Sequence, residues 1–146
     1  MDQKGLLKNF YLFTGVTSND LQALEAIVER KSYIAGDLIY SEGDVADALF
    51  FIEMGAVDIM TRGKEVVFTT IGSGQGFGEL AFFERGKRPA SASARERTYL
   101  LRIPYERFSK VLSERPELAL LVYRNACAFF AKHFRTMALD LNRRYL

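Results

Sequence analysis

The run Gly76-Phe77-Gly78-Glu79-Leu80-Ala81-Phe82-Phe83-Glu84-Arg85-Gly86-Lys87-Arg88-Pro89-Ala90-Ser91-Ala92-Ser93 constrains this chain more than any other stretch. Gly76 and Gly78 let the backbone come close to whatever lies opposite, because no Cβ stands in the way. A short apolar turn follows, bracketed by a carboxylate and a guanidinium, Glu79 and then Arg88 nine residues on. If Gly78 to Phe83 winds into a short helix, the N–H groups of Glu79, Leu80 and Ala81 find no acceptor inside it and point outward at its positive end. Arg88 carries the planar fork that meets phosphate oxygens in two parallel hydrogen bonds, and an ionised Glu79 accepts from a sugar hydroxyl. These groups together match the needs of an anionic sugar phosphate. The same spacing also fits an ion pair between Glu79 and Arg88 around a surface loop, worth about 0 to 1 kcal/mol.

Composition narrows what such a loop can serve. With 146 residues, 49% hydrophobic and 26% charged, the chain fits one globular domain with a real core. Lys plus Arg number 20 against 18 for Asp plus Glu, so no net field recruits nucleic acid or an acidic membrane. The apolar run in Met1 to Phe13 is broken by Lys8 and Asn9 with no small-residue cleavage site after it, and no stretch reaches the roughly 18 apolar residues of a membrane span. A single cysteine, Cys127, excludes an intrachain disulfide and a multi-cysteine metal site, and a single histidine, His133, excludes a multi-histidine cage. A Ser-His-Asp or Cys-His arrangement would have to pass through His133, which sits in a helical stretch without such partners. The expectations are a cytoplasmic protein, no enzyme, with no catalytic residues, no metal and no cofactor.

Along the chain, Leu6 to Phe13 is a short apolar segment. Thr17 or Ser18 then caps a helix with Asp20 in its first turn and Leu21, Leu24, Ile27 and Val28 on one face, expected to end near Arg30. From Lys31 the texture changes to short runs punctuated by glycine. Residues 32–34, 38–40, 48–54, 56–61, 65–71, 90–94 and 98–103 read as strands, with turns at Ala35-Gly36-Asp37, Glu42-Gly43-Asp44, Arg62-Gly63-Lys64 and Gly72-Ser73-Gly74. Strands at this interval predict a small barrel or sandwich. In Leu49-Phe50-Phe51-Ile52 both faces are apolar, as expected where a helix covers the outside of a strand; Phe50, Phe51, Ile59 and Phe68 are core candidates. Pro104 fits the first turn of a helix through Leu112, and Pro116 starts a second running to about Asn142. That last helix is apolar on two sides, Ala119, Val122, Ala126, Phe129 and His133 on one, Leu120, Leu121, Cys127, Phe130, Phe134, Met137 and Leu141 on the other. One face packs on the strands; the second calls for a partner chain, a second copy, or cover from the N-terminal helices.

In order and at family spacing, Gly36-Asp37, Gly43, Phe50-Phe51-Ile52-Glu53-Met54-Gly55-Ala56-Val57, Gly72, Phe77-Gly78-Glu79-Leu80-Ala81 and Arg88-Pro89-Ala90-Ser91 resemble the cyclic nucleotide-binding domain shared by the catabolite activator protein, the regulatory subunit of protein kinase A and cyclic nucleotide-gated channels. The resemblance covers nearly the whole chain. It implies a mainly β fold with flanking helices: an eight-stranded jelly-roll barrel over 32–103 with its phosphate-binding loop at 76–93, N-terminal helices over 1–31 and C-terminal helices over 104–146. It also implies that Glu79 takes the ribose 2′-hydroxyl, that Arg88 holds the cyclic phosphate, and that Gly78, Leu80 and Ala81 contribute backbone N–H groups, with Pro89, Ala90 and Ser91 completing the site. In the family the last long helix caps the base. Phe130, His133 and Phe134 are the candidate cap here, able to stack on or hydrogen-bond to a purine.

Two departures qualify what the resemblance implies. Pro89 stands where many members place Ala, Ser or Thr, and it has no N–H for the phosphate. Its lack of a hydroxyl leans towards adenine, with Ser91 nearby keeping guanine open; the regulatory ligand expected is cAMP, with cGMP as the alternative. The chain also stops at Leu146, without the helix-turn-helix of the family's bacterial transcription factors, and Arg143-Arg144 is too short a basic patch to read DNA. The expectation is a nucleotide sensor that signals through its C-terminal helices and associates with itself or a partner protein through the last one, without membrane or direct nucleic-acid contact. Two alternatives remain: a barrel that has lost its ligand and serves protein interaction, and the sensor fragment of a transcription regulator.

Overall fold

The computed structural model describes residues 5–61 and 66–145. The expected turn at Arg62-Gly63-Lys64, the expected strand start at Glu65, residues 1–4 and the side chain of Arg144 lie outside the described part. Two 3-10 turns, Leu6–Asn9 and Tyr11–Phe13, lead into α1 (Ser18–Glu25). The Thr17 hydroxyl accepts the Asp20 N–H at 3.2 Å, the expected cap. The helix stops at Glu25 instead of running to Arg30, and β1 (Glu29–Tyr33) begins within the span expected to be helical. The polar run Glu29-Arg30-Lys31-Ser32 has no apolar face to hold a helix. Its backbone pairs instead with the strand at Thr98–Pro104, from Glu29 opposite Arg102 to Tyr33 opposite Thr98, and Arg102 clamps Glu29 at 2.8 Å.

The remaining strands are β2 (Leu38–Tyr40), β3 (Ala48–Met54), β4 (Ala56–Met60), β5 (Val67–Gly72), β6 (Gly76–Phe77), β7 (Ser91–Ala94) and β8 (Thr98–Pro104). They form two four-stranded antiparallel sheets, ordered β1-β8-β3-β6 and β2-β7-β4-β5, the two faces of a jelly-roll barrel. β6, only two residues long, was not among the expected strands because it shows no alternation. β3 is buried on both faces from Ala48 to Ile52, and the period of two divides its side chains between two cores. Leu49 and Phe51 join Leu101 and Ile103 beneath the helices, packed with Phe10, Phe13, Phe108, Leu118 and Val122. Ala48, Phe50 and Ile52 turn the other way and fill the barrel with Val57, Phe77 and Leu100. Phe68, a core candidate on sequence, is instead 60% exposed: it sits on the edge strand β5 and lines an open cavity.

Three helices complete the chain: α2 (Leu80–Glu84), α3 (Tyr105–Glu114) and α4 (Pro116–Tyr145). Pro104 is the residue before α3 and not part of its first turn. Leu118, Val122 and Ala126 bury one stripe of α4, and Asn125 Nδ2 ties it to the N-terminal segment through the carbonyls of Leu12 at 2.9 Å and Thr14 at 3.0 Å. From Ala131 to Arg143 its side chains are exposed. No helix among the described residues is long and apolar enough to cross a membrane.

Candidate functional site

Gly78 sits at φ +81°, a conformation that favours glycine, and a Cβ there would meet Arg88 Nη1 at 3.0 Å and the Ala48 carbonyl at 3.3 Å. The absent side chain lets Arg88 close over the loop. Arg88 Nη1 donates to Gly78 O at 3.0 Å and Nη2 to Ala48 O at 2.6 Å. The Tyr105 hydroxyl, itself donating to Gly78 O, accepts from Nη1 at 3.3 Å. The guanidinium lies 4.0 Å over the Tyr40 ring, and Asp47 Oδ1 stands 3.8 Å from it. Arg88 is thereby only 3% exposed, and its backbone is fixed by Asp44 O and Gly43 N at 2.9 and 2.8 Å.

Glu79 opens α2 and is 8% exposed. Its Oε1 accepts the Tyr11 hydroxyl at 3.0 Å, and its carbonyl takes the N–H groups of Phe82 and Phe83 at 3.1 and 3.3 Å. The N–H groups of Leu80 and Ala81 remain in the first turn, where the helix supplies no acceptor. Burial holds the Glu79 carboxyl above the ordinary carboxylate range, against the opposing pull of its own backbone, the Tyr11 hydrogen bond and the Arg88 charge. Burial likewise raises Tyr11 and Tyr40 and takes Tyr105 up to about 12. The three phenols are therefore neutral hydroxyls at physiological pH.

The raised Glu79 carboxyl makes a stability prediction. The folded state binds this proton more tightly than the unfolded chain, so stability falls as pH rises from the ordinary carboxylate range through the folded value, and the loss is complete above it. Each unit of elevation is worth about 1.4 kcal/mol. Glu79→Gln, which keeps an acceptor for Tyr11, is expected to melt above the native protein at pH 7 and to lose that advantage by pH 4. Melting curves across this range that stay parallel would rule out Glu79 as the source.

Tyr11, Tyr40, Glu79 and Arg88 share a cavity of about 610 Å³. Gly78, Glu79, Leu80, Ala81, Arg88, Pro89 and Ala90, all singled out from sequence, line it. Ser91 does not: its buried hydroxyl accepts the Glu42 N–H at 2.9 Å and fastens the neighbouring loop. Of the candidate cap residues, His133 lines the cavity, whereas Phe130 and Phe134 do not. Phe130 meets the edge of Phe83 with ring centroids 6.1 Å apart, and Phe134 is 72% exposed. The cause is the rotation of α4 about its axis, which the buried stripe through Val122 and Ala126 sets so that Phe129, one residue before Phe130, faces the barrel. Phe129 stacks on Tyr11 at 3.8 Å and lies 4.1 Å from His133. Tyr11, Tyr40 and Tyr105 were not among the candidates. Only the apolar character of Leu6 to Phe13 pointed near Tyr11, and no periodicity there fixes which side chain turns inward. The pairing of Glu79 with Arg88 left open by the spacing is replaced by separate partners, Tyr11 for the one and backbone carbonyls with Asp47 for the other.

Comparison with known proteins converges on this loop and barrel. The family model of the cyclic nucleotide-binding domain matches residues 30–115. The cyclic AMP receptor protein of Thermus thermophilus is 30% identical over 139 residues, covering 93% of this chain but 62% of that protein. The crystal structure of the Thermus thermophilus catabolite activator protein aligns with a TM-score of 0.76 at 29% identity, over 90% of this chain and 62% of that one. The regulatory domain of Toxoplasma gondii PKA, co-crystallised with cAMP, shares the fold with a TM-score of 0.68 at 24% identity, over 73% of this chain and 41% of that one.

Proposed function

The chain belongs to the cyclic nucleotide-binding domain family, and on that premise we propose that it binds cAMP in the cavity between the barrel and α4 and works as a cytoplasmic regulatory module without catalysis of its own. The observation that carries the reading is the convergence of a buried carboxylate, Glu79, and a buried guanidinium, Arg88, on one cavity of about 610 Å³, within the roughly 300–1,000 Å³ of small-ligand sites. The phosphate meets Arg88 and the N–H groups of Leu80 and Ala81. The long contact of Arg88 with Asp47, 3.8 Å, is the one a phosphate displaces most readily, since the carbonyl bonds of Arg88 are shorter. Glu79 takes the ribose hydroxyl.

His133 supports adenine at the C6 edge of the base. Its Nδ1 lies 3.0 Å from the Phe129 carbonyl, and a carbonyl only accepts, so in the neutral ring Nδ1 carries the proton and Nε2 is left as an acceptor. An exocyclic amine, as on C6 of adenine, is the complement; a carbonyl, as on C6 of guanine, is not. The test is a melting curve with cAMP and with cGMP. At about a thousand times its dissociation constant cAMP is expected to add roughly 4 kcal/mol, a rise of roughly 8–16 °C for a chain of this size. If neither nucleotide moves the midpoint, the barrel serves protein interaction instead.

Output runs through α4. Leu120, Tyr123, Cys127, Phe130, Phe134, Met137 and Leu141 recur at alternating steps of three and four, the seam of a left-handed coiled coil. Leu120, Tyr123, Phe134, Met137 and Leu141 are 48–72% exposed, and Cys127 is exposed as well. A second copy packed in parallel covers this seam. Sedimentation at micromolar concentration is expected to return a dimer that Phe134→Asp dissolves, and mild oxidation to join the two Cys127 thiols across it. A monomer at high micromolar concentration would count against this association.

A further inference from the structure

We infer that Tyr11 is the internal stand-in for the ligand's sugar hydroxyl: it occupies Glu79, and a nucleotide must displace it to bind. The inference rests on the cyclic nucleotide reading above. Tyr11 and Glu79 both line the cavity, and the phenol donates to Glu79 Oε1 at 3.0 Å. A ribose hydroxyl offers the same kind of donor to the same acceptor. With Glu79 only 8% exposed, little of the carboxylate is open to a newcomer while the phenol stays in place. The donor never switches off, since burial pushes the phenol's ionisation far above physiological pH.

The backbone of Tyr11 is fixed and its hydroxyl end is the part free to move. It lies between Phe10 and Leu12, both fully buried, in a segment whose carbonyls at Leu12 and Thr14 are held by Asn125 of α4. Its ring lies flat on Phe129 of α4, with centroids 3.8 Å apart and 12° between planes. Moving the hydroxyl off Glu79 therefore turns the ring against α4. One side chain thus links occupancy of the carboxylate to the position of the output helix. The unliganded population held in the Tyr11–Glu79 contact also lowers apparent affinity by the fraction of molecules in which Glu79 is free.

The experiment is a cycle of one substitution against one ligand atom. Binding of cAMP and of 2′-deoxy-cAMP is measured calorimetrically on the native chain and on Tyr11→Phe, which keeps the stack and removes the donor. Tyr11→Phe is expected to bind cAMP roughly tenfold tighter, the equilibrium worth of one hydrogen bond to a charged acceptor, to bind 2′-deoxy-cAMP unchanged, and to melt lower without ligand. Tightening of both ligands alike would mean the ring merely obstructs the cavity, and weakening of cAMP would mean Tyr11 holds Glu79 ready for the sugar; either result overturns the inference and leaves the nucleotide reading standing. If the native chain binds neither ligand, the reading falls and takes the inference with it.

Discussion

Arg88→Ala is expected to abolish the cAMP-dependent rise in melting temperature and to lower the unliganded midpoint as well. The first effect follows from the fork of donors that alanine lacks, and the second from what Arg88 does without a ligand. Its guanidinium donates to the buried Ala48 carbonyl and shares the Gly78 carbonyl with the Tyr105 hydroxyl, and a buried acceptor left without a donor costs about 1–3 kcal/mol. The Tyr40 ring loses its cation as well. A fall in baseline stability would by itself blur a thermal-shift assay, so affinity is to be measured calorimetrically well below the variant's midpoint. Arg88→Lys separates the two roles. It keeps a charge that reaches one carbonyl but not the planar pair of donors, and is expected to recover part of the stability and little of the affinity. An alanine variant that binds cAMP within threefold of the native chain would remove Arg88 from the phosphate site.

Phe10→Ala is expected to lower the midpoint by roughly 6–20 °C, from the 3–5 kcal/mol typical of truncating a buried phenylalanine. Phe10 is fully buried and meets Phe13 at 5.4 Å and Phe51 at 5.8 Å between ring centroids. It also lies flat on the backbone of Gly76, where a Cβ would come within 2.3 Å of its ring. This contact seats the N-terminal turns on the first residue of the glycine-opened loop. The cavity left by alanine therefore loosens both the core and the support behind Tyr11. Gly76→Ala attacks the same contact from the other side and is expected to destabilise comparably. If Phe10→Ala melted within about 2 °C of the native protein, the N-terminal turns would not be anchored through this ring.

Several elements were legible because their causes are local. The Thr17 cap, the strand runs over 38–40, 48–54, 56–61, 90–94 and 98–103 and the start of α4 at Pro116 each depend on a few neighbouring residues. The double-sided burial of β3 was legible for the same reason, since a run of apolar residues on both faces requires cover on both. The end of α1 was not: the residues after Glu25 could continue a helix, and only the partner strand β8 decides that Glu29 to Tyr33 pair instead. Phe68 looked like core for want of knowing that β5 is an edge.

The candidate site divides along the same line. Gly78, Glu79, Leu80, Ala81, Arg88, Pro89 and Ala90 are near one another in the chain and line one cavity, because a loop that turns on glycine brings its own flanks together. Tyr11 reaches Glu79 across 68 positions, and Arg88 reaches Ala48 across 40; nothing within either segment encodes those meetings. On α4 the sequence offered two faces, one through Phe129 and His133 and one through Phe130 and Phe134. Helical periodicity defines such faces but leaves their rotation free. The sequence by itself determined a small barrel or sandwich of short strands, the glycine-opened loop and the two charges it carries, because these follow from short-range backbone conformation and hydrophobic alternation; the jelly-roll barrel came from the family resemblance. Only the tertiary structure decided which aromatic faces the cavity and which hydroxyl holds Glu79, because both depend on how the buried stripe of α4 seats against the N-terminal turns.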